Sequence, residues 1–143
     1  GGEESGGISL KGHIPEGDGP IMGLLVVEML AASGKSLGEM VDDLLDDVGP
    51  ALYDRVDLRL SRPVAKAEMT EFLTRKAPAE IGGQKVNEIS QRDGVKYIMA
   101  DDSWLLIRPS GTEPVLRVYA EGRTQEIVKA LIGYGRTVAE SVV

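Results

Sequence analysis

Residues 92–108, RDGVKYIMADDSWLLIR, decide the fold of the second half of the chain. Asp93-Gly94 favours a tight hairpin turn, because such turns need a positive φ that Gly adopts without strain. Asp101-Asp102 marks a second turn between two further runs that fit strands. The strands predicted around these turns are 86–90, 95–100 and 103–108. Successive strands joined by such short turns predict an antiparallel sheet.

The predicted sheet continues outward from this segment in both directions. Residues 53–60 alternate and predict a strand, and residues 64–76 predict a helix. Residues 114–121 predict a last strand, and residues 124–143 a last helix. The order β-α-β-β-β-β-α predicts an α+β fold in which helices pack on one face of the antiparallel sheet.

The first third of the chain has a helical pattern. Residues 8–11 predict a short strand, and Asp18 is placed to cap a helix over residues 21–32. Nearly every residue of that helix is apolar, so we expect it to be buried on most sides. Ser36 and Glu39 have the spacing of a capping box, and an amphipathic helix follows them.

Gly49-Pro50 ends this second helix and marks the predicted boundary between residues 1–49 and 50–143. Two helices can cover only part of an all-apolar surface, and large exposed apolar patches tend to find a partner. We therefore expect residues 1–49 either to self-associate or to be much less stable than the second half.

Length and composition narrow the functional classes. The chain has 143 residues, the size of one ordinary domain or two small ones. Lys and Arg total 16 against 23 Asp and Glu, and the formal net charge of −7 argues against nucleic acid or anionic membrane as a partner. No apolar run reaches the roughly 18 to 20 residues of a membrane span. The absence of cysteine excludes disulfides and a thiolate nucleophile, and it is compatible with a cytoplasmic protein.

A glycine-rich loop over residues 2–7 carries polar side chains that suit a small ligand. The Glu3 carboxylate can accept hydrogen bonds from vicinal hydroxyls, and the Ser5 hydroxyl can donate or accept. The flanking glycines would let the backbone approach a ligand closely. This chemistry suits a sugar, and an ordinary flexible polar loop is the alternative.

A second loop, residues 108–114, joins two predicted strands, so its ends are held. Arg108 offers a planar fork for phosphate oxygens, and Ser110 and Thr112 add hydroxyls. Backbone N–H groups around Gly111 could form an anion-binding nest. The loop is not a Walker A loop, because no Gly-Lys-Ser/Thr follows. It is either a phosphate-binding loop or a plain strand-to-strand turn.

Together the two loops suggest a phosphosugar ligand, and their motifs resemble those of a known family. Gly-Glu-Glu-Ser-Gly, followed by a Gly-His-Ile…Asp-Gly stretch and much later by Arg-Pro-Ser-Gly-Thr-Glu-Pro, is similar to the α-D-phosphohexomutases, the phosphoglucomutase and phosphomannomutase branch above all. The resemblance covers the whole chain. It implies that residues 1–49 are a mainly helical remnant of the third, α/β domain. Residues 50–143 would be the fourth, phosphate-binding domain, whose TATA-binding-protein-like fold agrees with the element order above.

The resemblance also implies roles for individual residues. Glu3 and Ser5 would bind sugar hydroxyls. The phosphate that is not being transferred would be held by Arg108, Ser110, Gly111, Thr112 and Arg117. His13, the only histidine, would border the active site. It is a candidate for substrate contact or proton transfer, with a loop histidine satisfied by backbone as the alternative.

The implied reaction is an isomerisation that moves a phosphoryl group between C1 and C6 of a hexose phosphate. Glucose phosphate is the first candidate for the substrate, and mannose phosphate is the second. The reaction would use a phosphoserine, a bisphosphate intermediate, Mg²⁺, and glucose 1,6-bisphosphate as activator. The family's Ser-His-Asn-Pro-like and Asp-Gly-Asp-x-Asp-Arg loops have no counterpart in this sequence. We therefore expect a full-length parent to be the enzyme, with its N-terminal domains as partners of this chain. This chain alone would bind no metal and be inactive.

Two other functional classes compete with this reading. One is a non-catalytic module that binds phosphate or a phosphosugar. The other is a nucleic-acid-binding sheet domain, against which the negative net charge and the scarcity of aromatic residues argue.

Overall fold

The computed structural model of the protein describes residues 1–2, 6–111 and 113–141. Within these ranges the chain forms two compact units, Gly1–Val48 and Gly49–Val143. Each unit has its own secondary structure and is described separately.

The first unit contains two helices, α1 (Gly19–Ser33) and α2 (Leu37–Val48). The predicted cap is confirmed, because Asp18 Oδ1 accepts a hydrogen bond from Ile21 N–H at 3.1 Å. The capping box before α2 is confirmed as well: Ser36 N–H donates to Glu39 Oε2 at 2.8 Å, and Glu39 N–H donates to Ser36 Oγ at 3.3 Å.

Two expectations for this unit are wrong. Residues 8–11 form no strand: a single bridge joins Gly2 to Ile8, because the described part of the unit offers no neighbouring strand to extend it. Helix α1 is not buried either, and Leu24 and Val27 expose 69% and 62% of their surface. The all-apolar composition of α1 predicts that another surface covers the helix. The described residues of this unit do not supply that surface.

No single helix in the described ranges is long and apolar enough to cross a membrane. The pair α1 and α2 reaches that length and composition only when taken together, and it is bent by 81°.

The second unit is an antiparallel sheet with two helices. Its elements are β1 (Leu52–Arg59), α3 (Lys66–Arg75), β2 (Glu80–Ile81), β3 (Gln84–Ser90), β4 (Val95–Met99), β5 (Trp104–Pro109), β6 (Val115–Gly122) and α4 (Gln125–Ser141). The strand order is β1-β6-β5-β4-β3-β2, with antiparallel pairing throughout. The α+β fold class is thus confirmed. Strand β2 was missed, since two residues are too few to show alternation.

Helices α3 and α4 share one hydrophobic core with one face of the sheet. Leu105 and Ile107 of β5 and Val118 of β6 are fully buried in this core. The Tyr97 hydroxyl donates to the Leu73 carbonyl at 2.9 Å and so joins β4 to α3. Burial raises the pKa of Tyr97. Because side chains alternate along a strand, the residues between these core positions lie on the opposite face, called here the outer face.

Candidate functional site

The loop between β5 and β6 is held firmly at both ends. Ser110 N–H donates to the Val115 carbonyl at 2.8 Å, and Leu60 N–H donates to the Pro114 carbonyl at 2.8 Å. Within the loop, Glu113 N–H donates to Ser110 Oγ at 3.3 Å. The predicted loop is therefore present as a fixed connection. Thr112, one of its predicted ligands, lies outside the described residues.

Gly111 leaves open space at the middle of this loop. Its φ is not positive, and apart from its two chain neighbours no atom of the described residues lies within 4 Å of the position that a Cβ would occupy. Glycine is therefore not required here by backbone conformation or by a neighbouring protein group. What it provides is an unobstructed backbone surface.

Two arginines lie side by side where β5 and β6 meet this loop. Arg108 of β5 and Arg117 of β6 are register partners. Both alternate with core residues and lie on the outer face. Cβ atoms of such cross-strand partners are typically about 4.5 to 5.5 Å apart, and like charges at that spacing repel each other. The arrangement is favourable only if negative charge lies nearby.

Asp93 supplies negative charge on one side of this arginine pair. It lies in the turn between β3 and β4, and its Oδ2 is 3.1 Å from Arg108 Nε. The Arg108 side chain exposes 42% of its surface, so it stays open to solvent and to ligands.

Asp57 of β1 supplies negative charge on the other side. Its two oxygens lie 3.0 and 3.1 Å from Nε and Nη2 of Arg55, and these hydrogen bonds hold the pKa of Asp57 below its ordinary value. Arg117 Nε is 4.0 Å from Asp57 Oδ2, beyond hydrogen-bond range. Asp57 is therefore engaged mainly by Arg55 and neutralises Arg117 only in part.

Arg117 has an unmet hydrogen-bonding need. Its Nε is buried and has no hydrogen-bond partner among the described residues. A buried N–H without an acceptor is costly, and for a charged group the cost is larger. An anion bound beside Arg108 and Arg117 would relieve the repulsion between the two guanidinium groups.

An open cavity of about 420 Å³ lies beside Asp93, on the outer face. Its lining includes Glu88, Ser90, Arg92, Asp93, Lys96 and Leu106. The Lys96 ammonium is 4.0 Å from the centre of the Trp104 ring, an arrangement that satisfies a cation without an anion. The mixed lining favours no single charge class of ligand.

The first unit holds the predicted sugar-binding loop. Its flanks are joined by the Gly2–Ile8 bridge and by a hydrogen bond from Ser9 N–H to the Gly1 carbonyl at 2.8 Å. A cavity of about 340 Å³ beside them is lined by Gly1, Gly2, Gly7, Ile8, Ser9, Pro15, Glu16 and Gly17. The predicted ligands Glu3 and Ser5 lie outside the described residues.

His13 makes its contact within the same unit. Its Nε2 lies 2.9 Å from Asp18 Oδ2, while Oδ1 of the same carboxylate caps α1. The hydrogen bonds from His13 and from Ile21 N–H lower the pKa of Asp18. One ring nitrogen of the histidine is therefore paired with a side chain, and this contact connects the loop before α1 to the cap of that helix.

No group of three or more His, Asp or Glu side chains in the described ranges could hold a metal ion. The Mg²⁺ that the resemblance implies is therefore not assigned to any described residue.

Comparison with protein families agrees with the motifs. The phosphoglucomutase/phosphomannomutase C-terminal domain matches residues 62–133, and alpha/beta/alpha domain III of the same enzymes matches residues 1–48. The chain belongs to the phosphoglucomutase/phosphomannomutase family. Its relatives within this family are mutases by name.

Three relatives show how much of such a mutase the chain represents. It is 33% identical to the phosphoglucomutase/phosphomannomutase of Thermococcus kodakarensis, over 94% of this chain and 27% of the relative. It is 32% identical to the phosphoglucosamine mutase of Limosilactobacillus fermentum, over 99% of this chain and 27% of the relative. It is 36% identical to a probable phosphoglucosamine mutase of Methanosphaera stadtmanae, over 80% of this chain and 24% of the relative. The chain therefore spans about a quarter of the length of these phosphohexomutases.

The sequence predicts a role for the loop and for Arg108 and Arg117, but it predicts none for the carboxylates that the structure places beside them. Asp93 was interpreted only as a turn former, and Asp57 was not considered. A signal was available for Asp57, because alternation on β1 places it on the same face as Arg55. No comparable signal existed for Asp93, since its contact depends on how the turn lies against β5.

Proposed function

We propose that this chain supplies the sugar- and phosphate-binding parts of a phosphohexomutase that interconverts hexose 1-phosphate and hexose 6-phosphate. The observation that carries the proposal is the pair Arg108 and Arg117, which are register partners on the outer face beside the loop 110–114. A phosphate dianion supplies several strong acceptors for such a pair.

In the proposed reaction, a phosphoserine transfers its phosphoryl group to the free hydroxyl of the hexose phosphate. The resulting bisphosphate returns its other phosphoryl group to the serine, so phosphate is conserved and the product is the isomer. Throughout each transfer, Arg108, Ser110, Gly111, Thr112 and Arg117 would hold the phosphate that is not reacting. Positioning of this kind is a major part of catalysis in phosphoryl transfer.

In the same proposal, residues 2–7 form a sugar-binding loop. Glu3 would accept hydrogen bonds from sugar hydroxyls, and Ser5 would add a hydroxyl contact. Glucose phosphate is the proposed preferred substrate, with mannose phosphate second. The names of the relatives keep an amino sugar phosphate as a third candidate.

We infer that residues 1–49 complete the third domain of such an enzyme and that residues 50–143 form the fourth. The phosphoserine and the Mg²⁺ ligands would come from the other domains of the longer polypeptide. This chain alone should therefore convert no glucose 1-phosphate, even with Mg²⁺ and glucose 1,6-bisphosphate supplied. Turnover that scales with protein and survives repurification would contradict this division of roles.

Titration of the chain with inorganic phosphate, followed by amide NMR, tests the proposed site. The amides of Ser110, Gly111 and Thr112 should shift first, and Arg108→Ala should abolish those shifts while leaving the spectrum folded. Glucose 6-phosphate should move the same amides and also those of residues 2–7. If the loop amides stay still at millimolar phosphate while others move, the phosphate site is elsewhere.

A further inference from the structure

The turn between β3 and β4 lies unusually close to the strand end that carries Arg108. Gly94, the last residue of this turn, has a φ of 86°. A Cβ at this position would lie 2.5 Å from the Ile107 carbonyl oxygen and 3.1 Å from Arg108 Cα. Only glycine allows this approach, because any side chain would meet the backbone of β5.

This close approach places the Asp93 carboxylate against the guanidinium of Arg108. Oδ2 is 3.1 Å from Arg108 Nε, and Oδ1 is 3.3 Å from Lys66 Nζ at the start of α3. The carboxylate is thus held from two sides by groups on different elements. It contacts the guanidinium through Nε, and the edge formed by the two Nη groups carries further donors.

We propose that Asp93 is a positioning residue for phosphate binding, because it fixes Arg108 through Nε and leaves the Nη edge for the anion. This inference rests on the proposed function. An arginine side chain has many rotamers, and a site that must order it on binding loses affinity. With Asp93 in place, the Arg108 guanidinium is already confined before phosphate arrives.

The direction in which removal of Asp93 changes phosphate affinity distinguishes positioning of Arg108 from a simple charge effect. Asp93 is negative and lies next to an anion site, so by Coulomb attraction and repulsion alone its removal should strengthen phosphate binding. If Asp93 instead orders Arg108, its removal should weaken phosphate binding. Both partners of the pair are half-exposed, so the pair contributes little to folding and the variant is expected to fold.

Asp93→Asn in the 143-residue chain tests the inference, with the dissociation constant for inorganic phosphate as the readout. We expect binding about threefold to tenfold weaker, the size of a modest coupling between contacting residues, with an unchanged melting temperature. Asp93→Glu keeps the charge and should restore part of the affinity. In an Arg108→Ala background, Asp93→Asn should no longer weaken phosphate binding, because the side chain that Asp93 positions is absent.

One control removes an ion pair without touching Asp93 or Arg108. Glu68→Gln neutralises a carboxylate that pairs with Arg62 at 3.1 Å. It should leave the dissociation constant for phosphate unchanged.

The outcomes that overturn the inference differ from those that overturn the site. If Asp93→Asn strengthens phosphate binding or leaves it unchanged while Arg108→Ala weakens it, Asp93 is not a positioning residue, and the proposed site stands. If Arg108→Ala itself leaves phosphate affinity unchanged, the proposed site is wrong, and Asp93 has nothing to position.

Discussion

Gly111→Ala should separate the stability of the second unit from its phosphate affinity. The φ of Gly111 is one that alanine adopts, and apart from the two chain neighbours the added methyl group would meet no atom of the described residues within 4 Å. Replacing an unstrained loop glycine by alanine restricts the unfolded chain and stabilises a protein by about 0.4 to 1 kcal/mol. The variant should therefore be as stable as the parent chain or slightly more stable.

Phosphate affinity should fall in the same variant. The methyl group would occupy the space through which an anion reaches the backbone of the loop. Loss of one hydrogen bond to a charged ligand costs about 1.5 to 3 kcal/mol. At about 1.4 kcal/mol per tenfold change in the dissociation constant, the dissociation constant should be on the order of ten- to hundredfold higher.

Two measurements on the same sample test this separation. Trp104, the only tryptophan, is on β5 and reports unfolding of the second unit in a denaturant titration, while calorimetric titration gives the dissociation constant for phosphate. Gly133→Ala is the matched control, since Gly133 of α4 also has no atom within 4 Å of its Cβ position. It should stabilise by up to about 1 kcal/mol and leave phosphate affinity unchanged. Equal phosphate affinity in Gly111→Ala and the parent chain would refute the reasoning.

Three further predictions follow from other contacts. Gly94→Ala should destabilise the second unit by about 2 kcal/mol or more. A positive φ costs about 1 to 2 kcal/mol for alanine, and the methyl group would lie 2.5 Å from the Ile107 carbonyl oxygen. A loss of stability below about 1 kcal/mol in the Trp fluorescence assay would contradict this close approach. The pKa of Asp57, lowered by Arg55, should rise toward its ordinary value in Arg55→Ala, as carboxyl NMR would measure. A lowered folded-state pKa contributes stability that is present above the unfolded-state pKa and is lost as the pH falls through the folded-state pKa. Acid denaturation should therefore show that Arg55→Ala loses less stability on acidification than the parent chain. The amides of α1 and α2 should exchange with solvent faster than those of β4–β6 at low protein concentration, and light scattering should show self-association as concentration rises; equal protection in a strictly monomeric chain would contradict both.

The sheet could be predicted because its signals are local. Asp93-Gly94 and Asp101-Asp102 fixed two turns, and alternation between them fixed which residues face the core. The caps of α1 and α2 were predicted for the same reason, since Asp18, Ser36 and Glu39 each bond within three residues along the chain. Strand β2 was missed because its pairing comes from the Gly82-Gly83 turn rather than from any pattern in Glu80–Ile81.

The burial of α1 could not be predicted, because burial depends on what lies against a helix. The composition of Leu24, Val27 and their neighbours correctly indicated an apolar surface on every side. It could not indicate whether the partner surface is in the same stretch of chain. The same limit applies to Asp93, whose contact with Arg108 depends on a turn and a strand end meeting in space.

The net charge of −7 describes the whole chain, whereas the proposed phosphate site depends on the charges that lie close to the second loop. At physiological ionic strength, charges more than about 8 Å apart are largely screened, so distant acidic residues contribute little at the loop. What a small anion meets there is Arg108 and Arg117 side by side, with Asp93 and Asp57 on their outer flanks. Asp93 contacts Arg108 at Nε, and Asp57 approaches Arg117 at Nε. In the strand register, neither carboxylate lies between the two guanidinium groups. The long-range field should therefore disfavour polyanions such as nucleic acid, whereas the proposed site at the two arginines would bind a single phosphate. We expect the chain to reject the first and bind the second.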